Sequence, residues 1–276
     1  MPRVELAGVT LSYAVAGQGE ALVLISGLDG LGKFWRSQIE AFSPTFKTIT
    51  FDHPEVGRSA GTLPYSIEQW ACDHLVGLLD CVGIGVAHLV GHSSGGMIAQ
   101  VLAADYPAKV ASVVLGATWA QPDDRFRRLF ELRREVSTAS RIEADVCLAS
   151  IMTTPADEGL ASVEREEDDP AIVGARLDAI LAYEGLDRLR RIRCPALVIA
   201  AADDFFVPAR ISRILAGGIA GAQLKIPPSG GHAFPRSRAA EYNRLVLGFL
   251  LSIAGRQPTP MTDTAPTTVC GEGGRL

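Results

Sequence analysis

Short, unbroken apolar runs alternate with stretches of helical spacing along most of the chain. Ala21-Leu22-Val23-Leu24-Ile25, Val86–Val90, Val110–Leu115 and Ala196–Ala201 carry too few polar positions for strands with one wet face. Each predicts a strand covered on both sides, as in a parallel sheet. Phe46–Phe51 and the short Ala222–Ile226 extend the set, and Val4–Ala16, broken near Gly8, reads as two short strands joined by a turn. Helical spacing recurs at Phe34–Phe42, in Ser66–Val82 (Ile67, Trp70, Ala71, Leu75, Leu78, Leu79), at Met97, Ile98, Val101 and Leu102, and in Ala209–Ala216 and Arg238–Ala254. Ser66 suits an N-cap and Tyr106-Pro107 a helix stop. Strands and helices in alternation imply an α/β fold with a mostly parallel, twisted sheet flanked by helices.

The pattern changes after Trp119. Gln121–Ala182 is charge-rich and helical, with no strong strand until Ala196, and Pro155 and Pro170 divide it into shorter helices. This predicts a helical lid, residues 121–189, inserted over the sheet's carboxyl edge in a core built from residues 1–120 and 190–255. Arg256–Leu276, rich in Thr, Pro and Gly and without periodicity, predicts a disordered tail.

A chain of 276 residues, 47% hydrophobic and 21% charged, has material for one large core. Its net charge of -5 argues against nucleic acid or an anionic membrane as partner. The cysteines (Cys72, Cys81, Cys147, Cys194, Cys270) form no CxxC or paired framework, which suits a reducing compartment. Met1-Pro2-Arg3-Val4-Glu5 lacks the apolar core of a secretion signal, and no apolar run approaches membrane-spanning length. The expectation is a cytoplasmic protein whose partner is a small-molecule substrate, with a homodimer left open.

The chemistry gathers at Gly91-His92-Ser93-Ser94-Gly95, a Gly-x-Ser-x-Gly between a predicted strand and a predicted helix. On such a turn the serine hydroxyl is held out at the sheet edge, and glycines are needed where helix and strand backbones meet. Serine needs a base to take its proton. His232, after Gly230-Gly231 and before the closing helix, is placed to be that base, and Asp204, at another strand end, to orient the imidazole. Asp203 competes with Asp204. Asp204 is preferred because it stands four residues before Pro208, with Asp203 expected to face solvent or cap locally. The bend Ser26-Gly27-Leu28-Asp29-Gly30 is expected to supply one oxyanion donor, the Leu28 amide, with the Ser94 amide as the other. Neither HExxH nor GxGxxG occurs, and His88 and His92, about 13 Å apart on a strand, cannot share a metal. No metal and no cofactor are expected.

Arg125, Arg127, Arg128, Arg133 and Arg134 lie beside Phe126, Leu129 and Phe130. They read as a solvated face balanced by Glu131 and Glu135, or as the source of an arginine that turns inward to hold a substrate carboxylate.

Leu24–Gly30, Tyr65-Ser66-Ile67, Gly91–Gly96 and Gly230-Gly231-His232 together resemble the α/β-hydrolase superfamily, over about Val4–Ala254. The wording is similar to the branch holding aminoacrylate hydrolases and 3-oxoadipate enol-lactonases. That resemblance implies a cofactor-free hydrolase of a small, often acidic, metabolite. In Asp52–Ser59, Glu55 stands where families of this type carry the first glycine of the loop, which would put a carboxylate near the pocket mouth. Aminoacrylate hydrolases can lack the elbow serine, and its presence here points to a covalent acyl-enzyme. The resulting expectation is a serine hydrolase of a small carboxylic ester or lactone. Amide or carbon–carbon hydrolysis, and a binding protein without turnover, stay open beside it.

Overall fold

The computed structural model describes residues 1–6, 8–61, 66–139 and 170–253, the side chains of 136–139 and 170 excepted. Tyr65, Cys147, Pro155, Cys270, residues 140–169 of the expected lid and the expected tail 256–276 lie outside the described residues.

Eight strands form one sheet in the order β1-β2-β4-β3-β5-β6-β7-β8. The strands β1 (Arg3–Leu6) and β2 (Val9–Ala16) make an antiparallel hairpin, with Gly8 at φ 80° in the turn. β2 also runs antiparallel to β4 (Lys47–Phe51). The remaining pairs are parallel: β4 with β3 (Ala21–Ile25), β3 with β5 (Ala87–His92), then β6 (Val110–Gly116), β7 (Ala196–Ile199) and β8 (Gln223–Lys225).

The fully apolar strands behave as their composition requires. In β3, Leu22 and Leu24 face one side and Ala21, Val23 and Ile25 the other, and all are buried. One side is filled by Trp35, Phe42, Phe234, Tyr242, Val246 and Leu250, from a 3-10 turn (Gly32–Trp35) and from helices α1 (Arg36–Phe42), α9 (Phe234–Ser237) and α10 (Ala239–Ile253). The other side holds α2 (Ile67–Gln69), α3 (Gly77–Cys81), α4 (Ser94–Asp105), α5 (Asp124–Ala139) and α6 (Pro170–Ala182). The short α7 (Leu186–Leu189) follows α6, and α8 (Ala209–Gly218) joins β7 to β8. Each fully buried Leu, Ile or Val contributes about 1.5–3 kcal/mol, so both faces of the sheet are strongly held.

Several elements carry more than their spacing announced. α4 is buried all round from Ser94 to Ala104, because it crosses the middle of the sheet rather than lying at its surface. Ser66 caps as expected, its Oγ accepting the Gln69 N–H at 3.1 Å. Between α2 and α3, however, Trp70–Val76 is π-helical. The wider turn brings His74 into the buried stripe, edge-on to Trp70 with ring centroids 5.6 Å apart. Among the described residues, neither of its ring nitrogens finds a hydrogen-bond partner.

Burial is the main cause that lowers four imidazoles from their ordinary value of 6.5: His53, His74, His88 and His92. At His88 it prevails over Glu20, which pulls upward. The unfolded chain therefore takes up protons below pH 6.5 that the fold does not, and stability falls as pH falls. Stability is expected to drop between pH 7 and 5.5, by up to about 1.4 kcal/mol per pH unit for each such group, and thermal midpoints measured across that range should fall with it. His74→Leu should flatten that slope, and an unchanged slope in the variant would count against this source.

Candidate active site

β3 lies between β4 and β5, so the chain leaves it to one side and returns on the other. This makes a switch point, and a crevice opens beyond the carboxyl ends of β3 and β5, where α/β sheets hold ligands. The Gly27–Gly30 bend and the Ser93 turn flank it.

The turn at Ser93 is enforced sterically. Ser93 takes φ 56° and ψ -126°, a strained conformation for a residue with a side chain. Its N–H bonds the Gly116 carbonyl at 2.8 Å, and its own carbonyl accepts the Gly96 N–H at 2.9 Å. A Cβ at position 91 would meet the Gly95 carbonyl oxygen at 2.5 Å, and one at position 95 would collide with the carbonyl oxygens of Ile25 and Ser26. Both glycines are therefore required for α4 to start against the ends of β3 and β5.

Three distant side chains converge here. Ser93 Oγ lies 3.1 Å from His232 Nε2, and His232 Nδ1 lies 3.0 Å from Asp204 Oδ2. With Asp204 ionised, Nδ1 carries the proton and Nε2 accepts from the serine hydroxyl. The Asp204 side chain is fully buried, and its second oxygen accepts the Val207 N–H at 2.7 Å, fixing the carboxylate plane. Phe206 covers the imidazole, ring centroids 4.7 Å apart.

The neighbouring carboxylate has its own place. Asp203 accepts the N–H groups of Gly231 at 2.9 Å and Gly230 at 3.3 Å. It faces solvent, one of the two places expected for it, but it makes no local cap: its carboxylate ties down the loop bearing His232. The two aspartates thus hold one histidine in different ways, one by its ring and one by its backbone.

Leu28 lines the same cavity as Ser93. Ser94 is the first residue of α4, and a first-turn N–H has no partner within its helix. The cavity has a volume of about 350 Å³, enough for a small organic molecule. Phe34, Trp119, Phe130, Ile180 and Phe206 supply apolar wall. His92 forms another part, stacked on Phe34 at 5.2 Å, and burial followed by the nearby His232 holds its imidazole well below the ordinary value.

The charged lining is mostly cationic: Lys33, Arg36, Arg133 and Arg236 against the single carboxylate of Asp29. Arg133 approaches Asp29 at 3.9 Å. The arginines around it tie elements together. Arg125 donates to the Phe205 and Phe206 carbonyls, Arg127 to that of Leu181, and Arg134 pairs with Asp178. Glu55, expected at the pocket mouth, is not among the residues lining the cavity. It closes a tight turn with φ 59°, a conformation that costs a side-chain-bearing residue about 1–2 kcal/mol.

Periodicity gave no warning of Lys33, Arg36 and Arg236, which come from separate short helices. Arg176 did leave a trace, as a lone cation in the apolar stretch Ala171–Leu177. It is buried and bonds two loop carbonyls near the crevice. Among the described residues, no group of three His, Cys, Asp or Glu side chains is arranged to hold a metal ion. None of the described helices is long and apolar enough to cross a membrane.

Comparison with known proteins agrees with this fold. Residues 20–145 match the family model of the alpha/beta hydrolase fold, and residues 83–236 that of serine aminopeptidase, S33. A Caulobacter sp. (strain K31) protein carrying the name carbamate hydrolase RutD is 35% identical over 247 residues, covering 85% of this chain and 92% of its own. One of the same name from Azorhizobium caulinodans is 35% identical over 260 residues, covering 90% and 98%. The crystal structure of the enol-lactonase from Burkholderia xenovorans LB400 superposes with a TM-score of 0.82 at 26% identity, over 91% of this chain and all of that one. By fold, by these relatives and by the hydrolases among its structural neighbours, the chain belongs to the α/β-hydrolase family, in the branch that holds the aminoacrylate hydrolases and the 3-oxoadipate enol-lactonases, and is a hydrolase.

Proposed function

We propose that the protein hydrolyses a small carboxylic ester or lactone bearing its own carboxylate, through an acyl-enzyme on Ser93. The observation that carries this is the hydrogen-bonded series Ser93, His232, Asp204, with spacings of 3.1 and 3.0 Å. His232 Nε2 takes the Ser93 proton as Oγ attacks the substrate carbonyl. The oxyanion rests on the Leu28 and Ser94 amides, donors held at the place where charge would develop in this reading. Collapse breaks the ester bond, and the imidazolium returns the proton to the leaving oxygen, which in a lactone stays tethered to the acyl group. Water, deprotonated by the same imidazole, then cleaves the acyl-enzyme and restores the serine.

The substrate's charge is inferred from the lining. In a chain of net charge -5, a cavity edged by Lys33, Arg36, Arg133 and Arg236 favours an anion. The described parts of the lid segment, residues 121–139 and 170–189, contribute Phe130, Arg133 and Ile180 to the wall. Relatives named for carbamate hydrolysis make a carbamate the second substrate to try.

The test is labelling of the wild type by a fluorophosphonate, with an anionic ester, a matched neutral ester, a lactone and a carbamate compared for turnover. Rapid labelling lost in Ser93→Ala supports the reading, and absence of Ser93-dependent labelling overturns it. Arg133→Ala is expected to raise KM for the anionic ester about tenfold, the scale of one charge-assisted contact, with KM for the neutral ester little changed. Equal effects on both esters would remove Arg133 from charge recognition.

A further inference from the structure

Leu28, read above as an oxyanion donor, lines the cavity from the Gly27–Gly30 bend, yet little of the bend's own sequence makes it rigid. The bend is closed by one internal hydrogen bond, from the Gly30 N–H to the Gly27 carbonyl at 2.9 Å, and is attached to the next loop by the His53 N–H on the Gly30 carbonyl at 2.8 Å. Glycines at both ends leave wide conformational freedom. An amide that stabilises an oxyanion must already be in position when charge develops, because reorientation during the reaction removes the benefit.

Arg176 supplies an external brace. It projects from α6 and is 3% exposed. One guanidinium nitrogen donates to the Leu28 carbonyl at 3.1 Å and the other to the Pro54 carbonyl at 3.0 Å. These carbonyls belong to the loops after β3 and β4, so a single planar cation spans the two strand ends. A guanidinium holds two acceptors at fixed angles, which an ammonium on a flexible stem does not. The Pro54 loop is itself closed by a hydrogen bond from the Val56 N–H to the His53 carbonyl at 3.0 Å.

We propose that Arg176 is a positioning residue for the oxyanion site: by bridging Leu28 and Pro54 it fixes the Leu28 amide and makes that placement depend on how α6 is seated. This rests on the reading of Leu28 as an oxyanion donor in a Ser93 hydrolase. Because Arg176 comes from the segment proposed as lid, the catalytic amide is set only when that helix is docked. The residue touches no substrate and acts through the backbone it holds.

The experiment compares wild type, Arg176→Gln, whose amide satisfies one carbonyl, and Arg176→Met, which satisfies neither. It measures kcat and KM for a p-nitrophenyl ester, the second-order rate of fluorophosphonate labelling, and the thermal midpoint. The expected result is a graded loss of kcat, largest in Arg176→Met at about 10- to 100-fold, the scale of misplacing a reacting group by about 1 Å. KM should change less than threefold, and labelling should fall in step with kcat, since phosphonylation uses the same amides. Should Arg176→Met not fold, Arg176→Gln is read alone, with a fall in kcat at constant KM expected. Unchanged kcat and labelling, or a rise in KM at constant kcat, overturns the proposal, as does a chain in which neither variant folds, for that makes Arg176 structural. A wild type that fails to label at Ser93 removes the underlying reading instead, which keeps the two failures apart.

Discussion

Replacing Ser93 with alanine is expected to lower kcat for ester hydrolysis by about four to six orders of magnitude, the scale seen when the nucleophile of such a triad is removed. The loss is large because, among the described residues, Ser93 is the one whose hydroxyl is hydrogen-bonded to His232 Nε2. Ser94 already belongs to α4, and Ser26 Oγ lies 3.4 Å from His53 Nε2 rather than beside His232. The change should leave the fold nearly as it is. Alanine meets the same backbone strain at φ 56° and loses only the hydroxyl and its bond to His232. The thermal midpoint should therefore stay within a few degrees, and KM for the ester within about threefold, because the cavity keeps its shape and lining charges. Kinetics, labelling and melting on the same preparation decide the matter. An alanine variant that still turns over ester at a hundredth of the wild-type rate would place the nucleophile elsewhere.

That this serine could be found without coordinates follows from the constraints around it. An α4 that begins directly against β3 and β5 tolerates no Cβ at positions 91 and 95, so the glycines record a three-dimensional contact in one dimension. The buried strands were equally legible, since a strand covered on both faces must be apolar at every position. The hairpin, the Ser66 cap and the stop at Tyr106-Pro107 follow local rules and stand as read. What escaped is whatever arises only when distant segments meet. His74 enters the core through a π-helical turn, which no regular period predicts. Lys33, Arg36 and Arg236 share a cavity without sharing a motif, and Asp203 finds its partners 27 and 28 residues away. Glu55 shows the reverse case, a substitution that suggested a charge at the pocket while its consequence lies in the backbone.

Adjacent aspartates with different attachments to one histidine lead to the second large effect. Asp204→Asn is expected to reduce kcat about 10⁴-fold, the cost of losing the carboxylate that fixes the imidazole tautomer. An asparagine amide in that position can present its N–H₂ to Nδ1. The ring proton then moves to Nε2, and Nε2 no longer accepts from Ser93. Structure should survive, because the Val207 N–H at 2.7 Å still finds the amide oxygen. Asp203→Asn reverses this division. Its side chain holds Gly230 and Gly231, at φ 139° and 58°, so the expected losses are about 0.5–1.5 kcal/mol of stability and roughly tenfold in kcat, from a less well placed His232. Measured together, the variants should separate cleanly, one inactive and stable, the other active and less stable. The opposite pattern, with Asp203→Asn the inactive protein, would transfer the orienting role to Asp203 and require the loop to rearrange before catalysis.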